Sequence, residues 1–438
     1  MKLFSRVSLV VVCLALLIIS WVIVLGAKTS SEIQADLLAR AAAYTKDDIY
    51  ILAVPLLEEA AGYEAEHTAE AENALKEAYL QLIDKRGYRR KYTTLLENLL
   101  NKEDATPEIF IEAANFYLNT AKYNEAYTVL KDGIAKTGSD ELVYIYENNR
   151  YRYKMGYDIY DDVTAMHDKT IGVSRDGLWG LAKTGGVLQI PCEYEKISTY
   201  SVDRVIVQKD GEIYAVDYYN NRISLLKAGG VSDFGNYADN RITLLTDDGW
   251  KRASGDFEVG AAAFEEIGAY SYGYAAAKEN GKWGVIDRSM KWLIPAEYDQ
   301  TIMDELGLSY AQGAAFVKKD DVVYLFADGE QKGDLYEDAR PFSGEGYAAV
   351  KKNGKWGFID ASGEVKIACQ FEDALSFGQH LAAVREDGLW GYINLEGKIV
   401  IDPVFLQAKS FEEGSAPVLT ERGWRFISLL EYMKGVGL

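Results

Sequence analysis

Cysteine is scarce in this sequence, and so is histidine. Only three of the 438 residues are cysteine and only three are histidine. Cys13 lies in an apolar run, and Cys192 and Cys369 stand far apart, so no disulfide framework is indicated. The histidines are isolated, without a second histidine or a cysteine at metal-ligand spacing. We therefore expect no metal site, and we predict that Cys192 and Cys369 are free thiols in the interior.

Basic residues are outnumbered. Lysine and arginine total 47 against 67 aspartate and glutamate residues, which gives a net charge of −20. Phosphate backbones repel such a chain, and the sequence has no basic stripe, so we expect no nucleic-acid partner. The sequence also has no nucleophile elbow, phosphate loop or dinucleotide fingerprint. We predict that the protein is not an enzyme and has no cofactor.

Long apolar runs are absent except for one, from Val7 to Ala27. As a helix this run would be about 31 Å long, which matches a hydrocarbon core of about 30 Å. Lys2 and Arg6 precede it, so the positive-inside rule places residues 1–6 in the cytoplasm and the rest outside. We predict a transmembrane anchor over residues 7–27 and a single-pass location in the cell membrane. Secretion after signal cleavage is the alternative, because Val24-Leu25-Gly26 offers a small-residue cleavage site.

What the sequence does contain is a repeat centred on Trp-Gly. Its template is residues 347–367, where Asn353-Gly354 and Ser362-Gly363 mark tight turns between alternating apolar residues. The centre recurs about every 34 residues, which gives eight units of three strands each, with a degenerate centre at Val322-Val323. Six centres carry a tryptophan, which we interpret as the core anchor of its unit: Trp179, Trp250, Trp283, Trp356, Trp390 and Trp424.

This pattern resembles the WG-repeat (KWG-repeat) family. The resemblance is carried by Lys-Trp-Gly at Lys282 and Lys355 and by Gly-Leu-Trp-Gly at Gly177 and Gly388. It implies a repeat architecture and a binding role, as in bacterial surface proteins, with no catalytic residues to carry over. One unit cannot bury its own apolar face, so neighbouring units must stack. We expect an all-β domain over residues 171–438 that forms a propeller-like array, with an open β-superhelix as the alternative.

Residues 31–156 follow a helical period instead. Thr106-Pro107 is a good helix start, since proline fits the first helical position. From Pro107 to Thr137 the order of small and large residues resembles a tetratricopeptide (TPR) unit. We expect about three TPR-like hairpins, followed by a connector over residues 157–170. The predicted fold class is therefore multidomain, α plus all-β.

Two repeat types without intrinsic chemistry indicate a scaffold. We predict a membrane-anchored protein that binds another protein or a peptide outside the membrane. A cell-wall or glycan binder is the alternative, because aromatic platforms beside acidic residues suit sugars. The partner is thus an unknown extracytoplasmic protein or a cell-wall component.

Specificity is expected where the repeat is broken, because the repeated positions are committed to packing. The insertion Met303–Leu308 is one such place, the departure at residues 218–221 is another, and the helical hairpin offers a groove. Seven residues are candidate binding residues: Tyr117, Tyr123, Tyr218, Tyr219, Met303, Asp304 and Glu305.

Overall fold

The computed structural model describes residues 28–201, 203–225, 230–255 and 257–432. The chain divides into two compact units, Met1–Ile145 and Tyr146–Leu438. The described part of the first unit is helical, and the second consists almost entirely of strands. Residues 146–170, which the sequence assigned partly to the helical domain and partly to a connector, belong to the second unit.

Seven helices lie in the described residues, and consecutive helices from the first to the sixth pack against one another. Their apolar faces form a core in which Leu57, Leu96 and Leu130 are almost completely buried. The helices are α1 (Ser30–Lys46), α2 (Tyr50–Ala61), α3 (Thr68–Gln81), α4 (Tyr88–Leu100), α5 (Pro107–Asn119), α6 (Tyr123–Thr137) and α7 (Asp140–Asn149).

The pair α5 and α6 has the bounds that the TPR-like pattern predicts. Pro107 stands in the first turn of α5, and Gly138 ends α6 in the left-handed conformation with φ of 66°. Gly133 lets the helices approach closely, because a Cβ there would lie 2.7 Å from the ring of Phe110. The helical hairpin is therefore present, while its assignment to the TPR class stays a prediction.

The prediction of a transmembrane helix and of a single-pass location is corrected. The segment on which it rested, residues 7–27, lies outside the described residues. Within residues 28–432, as far as the structure describes them, no helix is long and apolar enough to cross a membrane. The longest of these helices, α1, has 17 residues and carries charged side chains such as Glu32 and Asp36, whereas a span needs about 20 apolar residues.

The second unit contains eight sheets, numbered here as blades 1 to 8. Strand β1 (Tyr153–Met155) comes first in the chain and belongs to blade 8. Blade 1 consists of β2 (Asp162–His167), β3 (Thr170–Arg175), β4 (Leu178–Lys183) and β5 (Leu188–Tyr194), and blade 2 of β6 (Lys196–Ile197), β7 (Arg204–Lys209), β8 (Glu212–Asp217) and β9 (Arg222–Leu225). Blade 3 consists of β10 (Asp233–Phe234), β11 (Arg241–Thr246), β12 (Gly249–Ser254) and β13 (Val259–Phe264), and blade 4 of β14 (Glu266–Ile267), β15 (Tyr274–Glu279), β16 (Lys282–Asp287) and β17 (Trp292–Tyr298).

Blades 5 to 8 repeat this order, and blade 5 has one additional short strand. Blade 5 consists of β18 (Gln300–Thr301), β19 (Tyr310–Ala311), β20 (Ala314–Lys319), β21 (Val322–Ala327) and β22 (Glu330–Tyr336), and blade 6 of β23 (Asp338–Ala339), β24 (Tyr347–Lys352), β25 (Lys355–Asp360) and β26 (Val365–Phe371). Blade 7 consists of β27 (Asp373–Ala374), β28 (Leu381–Glu386), β29 (Leu389–Asn394) and β30 (Ile399–Phe405), and blade 8 of β31 (Gln407–Ala408), β32 (Ser415–Thr420) and β33 (Gly423–Leu429), together with β1.

The prediction of three strands per unit is wrong, because each blade has a fourth. In seven blades it is a two-residue strand, such as Asp373–Ala374 in blade 7, which pairs with the first long strand on its free side, whereas in blade 1 it is the six-residue strand β2. Two residues are too few to show an alternating pattern, so the sequence gives no signal for them. We call the two-residue strands and β2, with the residues that follow them, the inner segments.

The array is a closed ring, so the propeller-like prediction is confirmed and the open superhelix is wrong. Strand β1 pairs with β33, with Tyr153 opposite Leu429, and so completes blade 8. Blade 1 also packs on blade 8, where the rings of Tyr160 and Phe426 meet edge to face at 6.2 Å. The first and last blades are thus neighbours, which makes the fold an eight-bladed propeller.

The Trp-Gly dipeptide has a geometric cause. In blade 6 Trp356 lies opposite Phe371 on the third long strand, and the same pairing recurs in blades 1, 4 and 7. The third strand is bulged there and passes close over the following residue. A Cβ on the glycine after each tryptophan would lie between 2.3 and 2.6 Å from a backbone atom of that strand, at Gly180, Gly284, Gly357 and Gly391. Only glycine fits this position without moving the strand.

In blade 5 the same register corrects the predicted repeat centre by one residue. Val323, rather than Val322, pairs with the aromatic residue of the third strand, Tyr336.

Candidate binding site in the propeller channel

The insertion Met303–Leu308 interrupts the inner segment of blade 5, between β18 and β19. It is folded by one of its own side chains, because Asp304 Oδ1 accepts hydrogen bonds from the backbone N–H groups of Leu306 and Leu308, both at 2.9 Å. The backbone N–H of Asp304 also donates to the Leu308 carbonyl at 2.9 Å. Residues 303–308, here called the channel loop, therefore have a defined conformation.

The channel loop reaches three other blades. The Asn236 amide of blade 3 donates to the Leu306 carbonyl at 3.2 Å, and the Ala269 N–H of blade 4 donates to the Gly307 carbonyl at 2.9 Å. Glu305 forms an ion pair with Lys409 of blade 8. Since these partners all lie on inner segments around the ring, the loop crosses the central channel.

Gly268 of blade 4 makes room for the channel loop. A Cβ there would lie 2.6 Å from the Gly307 carbonyl oxygen and 2.8 Å from the Met303 sulfur. The channel loop therefore packs closely against Gly268, where a larger residue would not fit.

A cavity of about 350 Å³ lies beside the channel loop. Its walls come from blades 1, 2, 3, 5 and 8, and the polar side chains among them include Thr164, Lys196, Asn236, Glu305 and Lys409. The half-buried indole of Trp179 and the buried Leu306 add apolar surface. The volume falls within the range of about 300–1,000 Å³ that small-molecule sites occupy.

Both ammonium groups at this cavity already have partners. Lys196 Nζ lies 2.6 Å from Asp233 Oδ1 and donates to the Phe234 carbonyl at 2.7 Å. The Lys409 ammonium is held by Glu305. The lining is therefore polar, but its cationic groups are locally neutralised.

Asp304 is partly buried in the channel loop. Burial raises the pKa of its carboxyl to about 6, although the hydrogen bonds from the Leu306 and Leu308 N–H groups act in the opposite direction. Its role in the structure is to close the loop rather than to face the cavity, whose lining includes its neighbour Glu305.

Tyr218 and Tyr219 lie elsewhere, in the turn between β8 and β9 of blade 2. Tyr218 is in edge contact with Tyr200 at 5.6 Å and with Tyr219 at 5.9 Å, and Lys183 Nζ lies 5.4 Å from its ring centroid. Tyr219 is 77% exposed. We call Tyr200, Tyr218 and Tyr219 the tyrosine cluster. The turn is held by Asp217, which accepts hydrogen bonds from the N–H groups of Tyr219 and Asn221.

In the helical unit, Tyr117 is buried within the core, with 4% of its surface exposed. Its ring packs against Phe116, with centroids 5.7 Å apart, and burial raises the pKa of its hydroxyl. Tyr123 is half-buried at the start of α6. Tyr117 therefore contributes to the packing of the helices, and a binding role for Tyr117 and Tyr123 stays a prediction.

The repeat-centre tryptophans all contribute to packing, and none of the six is exposed. Trp283, Trp356 and Trp424 are buried, whereas Trp179, Trp250 and Trp390 are half-buried. Cys192 and Cys369 are unpaired and partly buried, and burial raises the pKa of both thiols. Within the described residues no group of histidine, cysteine and carboxylate side chains is arranged to hold a metal ion.

The cavity residues Thr164, Lys196, Asn236 and Lys409 were missed by the sequence analysis. They stand on four different blades and share no local motif. One signal exists: the residue after the short inner strand changes type from unit to unit, for example Gly235, Arg340 and Lys409. Of the four cavity residues, only Lys409 stands at this position.

Comparison with known proteins identifies the repeat. The WG containing repeat matches residues 179–212, 261–283, 283–322, 335–356, 356–390 and 390–424. The chain therefore carries WG repeats between residues 179 and 424, which confirms that part of the resemblance. No curated relative matches the chain.

Several solved structures resemble the chain at low identity. PorZ, a surface component of the type-IX secretion system of Porphyromonas gingivalis, matches with 12% identity and a TM-score of 0.34, covering 61% of this chain and 42% of PorZ. Kluyveromyces lactis Hsv2 matches with 9% identity and a TM-score of 0.38, covering 61% of this chain and 97% of Hsv2. AztD from Citrobacter koseri matches with 12% identity and a TM-score of 0.33, covering 62% of this chain and 94% of AztD. Such scores carry no argument about function.

Proposed function

We propose that the protein is a binding scaffold that holds a macromolecular partner, either a protein or a peptide, and turns over no substrate. The observation that supports this most directly is the tyrosine cluster on the turns of a closed propeller. Tyr219 presents its ring to solvent, and Tyr218 is held between Tyr200 and Lys183. Tyrosine is enriched at protein interfaces because it supplies contact area at a low cost in conformational entropy.

The fold supports the same proposal. In a propeller the repeated residues are used to pack blades, so the turns are free to vary and to recognise a partner. The turn from Asp217 to Asn221 is rigid, since the Asp217 carboxylate accepts hydrogen bonds from the Tyr219 and Asn221 N–H groups at 2.9 and 2.8 Å. A rigid aromatic surface loses little freedom on binding.

A glycan is the second candidate partner. Tyr200 donates a hydrogen bond to Asp203 at 3.1 Å, so the cluster places aromatic rings beside a carboxylate. This combination suits sugar rings, which offer apolar faces and hydroxyl groups. Retention of the purified protein on insoluble cell-wall polysaccharide distinguishes this candidate from a protein partner.

The experiment is a pull-down with the full-length protein as bait, from a lysate of cells that normally produce it. The test variant is the double substitution Tyr218→Ser and Tyr219→Ser. The control is Tyr157→Ser, because Tyr157 is 84% exposed and outside the cluster. We expect the wild type and the control to retain the same partner, and the double variant to retain about tenfold less. Equal retention by all three proteins contradicts the proposed surface.

A further inference from the structure

We propose that the cavity beside the channel loop binds a small neutral polyhydroxylated molecule, of the size of one or two sugar residues. This site lies on the inner segments and is separate from the tyrosine cluster. It does not depend on the identity of the macromolecular partner.

The pairing of the charges favours a neutral ligand. Lys196 is bound to Asp233 at 2.6 Å, and Lys409 is bound to Glu305. An anion would have to compete with these carboxylates for the ammonium groups, and a cation would have to compete with the ammonium groups for Asp233 and Glu305. The other carboxylate of the lining, Asp162, accepts a hydrogen bond from the Val163 N–H at 2.8 Å. A neutral ligand can leave both pairs intact.

The remaining hydrogen-bonding capacity suits hydroxyl groups. Two of the three N–H groups of Lys196 are used, by Asp233 and Phe234, so one is left. The Asn236 amide donates one N–H to Leu306 and keeps its second. Thr164 Oγ1 donates to Ala165 and accepts from the Gly172 N–H, so it retains one lone pair. Single donors and acceptors around one cavity match hydroxyls, because a hydroxyl both donates and accepts.

The cavity also has an apolar wall and an opening. The half-buried indole of Trp179 and the side chain of Leu306 offer surface for the C–H face of a sugar ring. Asp162 and Glu305, which also line the cavity, are exposed, so the space is open to solvent. A soluble saccharide can therefore enter without unfolding a blade.

The experiment measures binding of four pure probes to the full-length protein by isothermal titration and ligand-observed NMR. Glucose and N-acetylglucosamine are the neutral probes, glucuronate is the anionic probe, and glucosamine is the cationic probe. We expect the wild type to bind at least one neutral probe about tenfold more tightly than glucuronate or glucosamine.

A charge variant links that binding to the cavity. Glu305→Gln keeps the side-chain shape but leaves Lys409 without its carboxylate, so we expect glucuronate binding to improve about tenfold. Glu345→Gln is the matched control, because Glu345 pairs with His380 at 2.7 Å outside the cavity. Circular dichroism verifies that each variant is folded.

Three results would overturn the proposal. One is a folded wild type that binds neither neutral probe, and another is a wild type that prefers a charged probe. The third is an equal response of Glu305→Gln and Glu345→Gln to glucuronate, which would place any sugar site elsewhere. A protein that fails here but retains its partner in the pull-down leaves the scaffold proposal standing.

Discussion

Blades 5 and 6 are neighbours with the same order of long strands, but they use it differently. In blade 6 Trp356 packs opposite Phe371, and Gly357 leaves room for the bulged third strand. In blade 5 a smaller residue, Val323, takes the tryptophan position, and the channel loop interrupts the inner segment. The regular blade commits its side chains to packing, whereas the irregular blade supplies the loop that crosses the channel. In blade 5 the departure from the repeat therefore supplies part of the lining of the candidate site.

The largest expected effect tests whether the two blades are anchored differently. Trp356→Ala should lower the free energy of unfolding by about 3–5 kcal/mol, because it empties a fully packed position. Val323→Ala at the equivalent position of blade 5 should cost only about 2 kcal/mol, since fewer buried carbon atoms are removed. Urea unfolding of the full-length protein, followed by circular dichroism, measures both. Equal losses would show that the two centres carry similar packing.

A smaller effect on stability distinguishes two reasons for a glycine in blade 6. One is the close approach of a neighbouring strand, and the other is a left-handed backbone conformation. Gly357→Ala should cost about 1–3 kcal/mol, because its Cβ would meet the Ile367 carbonyl oxygen at 2.6 Å. Gly354→Ala is the matched control, since its φ is 75° but nothing lies within 4 Å of the added Cβ. There the cost is the left-handed backbone alone, about 1 kcal/mol. A control that destabilises as much as Gly357→Ala would contradict the steric account of Trp-Gly.

The smallest expected effect is on the pH dependence of stability, to which one aspartate in each of the two blades contributes with opposite sign. Burial raises the pKa of Asp304 in blade 5 to about 6. Asp360 in blade 6 has a pKa of about 2, because hydrogen bonds from Ser362, Lys366 and Glu364 N–H outweigh the effect of its burial. Between about pH 4 and 6 the folded state binds a proton at Asp304 that the unfolded state releases, so this group makes stability fall as pH rises.

The free energy of unfolding of Asp304→Asn should therefore decrease less than that of the wild type between pH 4 and pH 6.5, by on the order of 1 kcal/mol. Asp360→Asn should leave this window unchanged, because the stabilisation from Asp360 is lost only below about pH 4. Unfolding midpoints of wild type and both variants across the range provide the measurement. A parallel pH dependence for wild type and Asp304→Asn would show that the channel loop does not bury its carboxylate.

Much of the β architecture is predictable because its signals are local. Tight turns such as Asn353-Gly354 and the fixed distance from Trp356 to Phe371 give the hairpins, the pairing and the number of units. The short inner strands are not predictable, because two residues such as Asp373–Ala374 have no periodicity. The completion of the last blade was not predictable either, since Tyr153–Met155, which takes the place of its third long strand, precedes all the repeats.

The candidate site is less predictable than the fold. Counting residues located the insertion at Met303–Leu308, but only the structure shows that it enters the channel. Lys196, Asn236 and Lys409 meet there from blades 2, 3 and 8, at positions that share no local motif, so no spacing rule relates them. Tyr117, one of the candidate binding residues, lies in the helical core, because a large residue on the apolar face of a helix is used for packing.

The closure of the ring by β1 has a consequence for the order of events during synthesis. Tyr153 pairs with Leu429, so blade 8 cannot be completed until about 275 later residues have been synthesised. Until then the nascent chain carries an unpaired β1, and blade 1 lacks the face on which Tyr160 packs against Phe426. An unpaired strand edge invites pairing with another chain. The same contact that leaves the finished ring without a free end therefore makes its assembly depend on the last strand to be made.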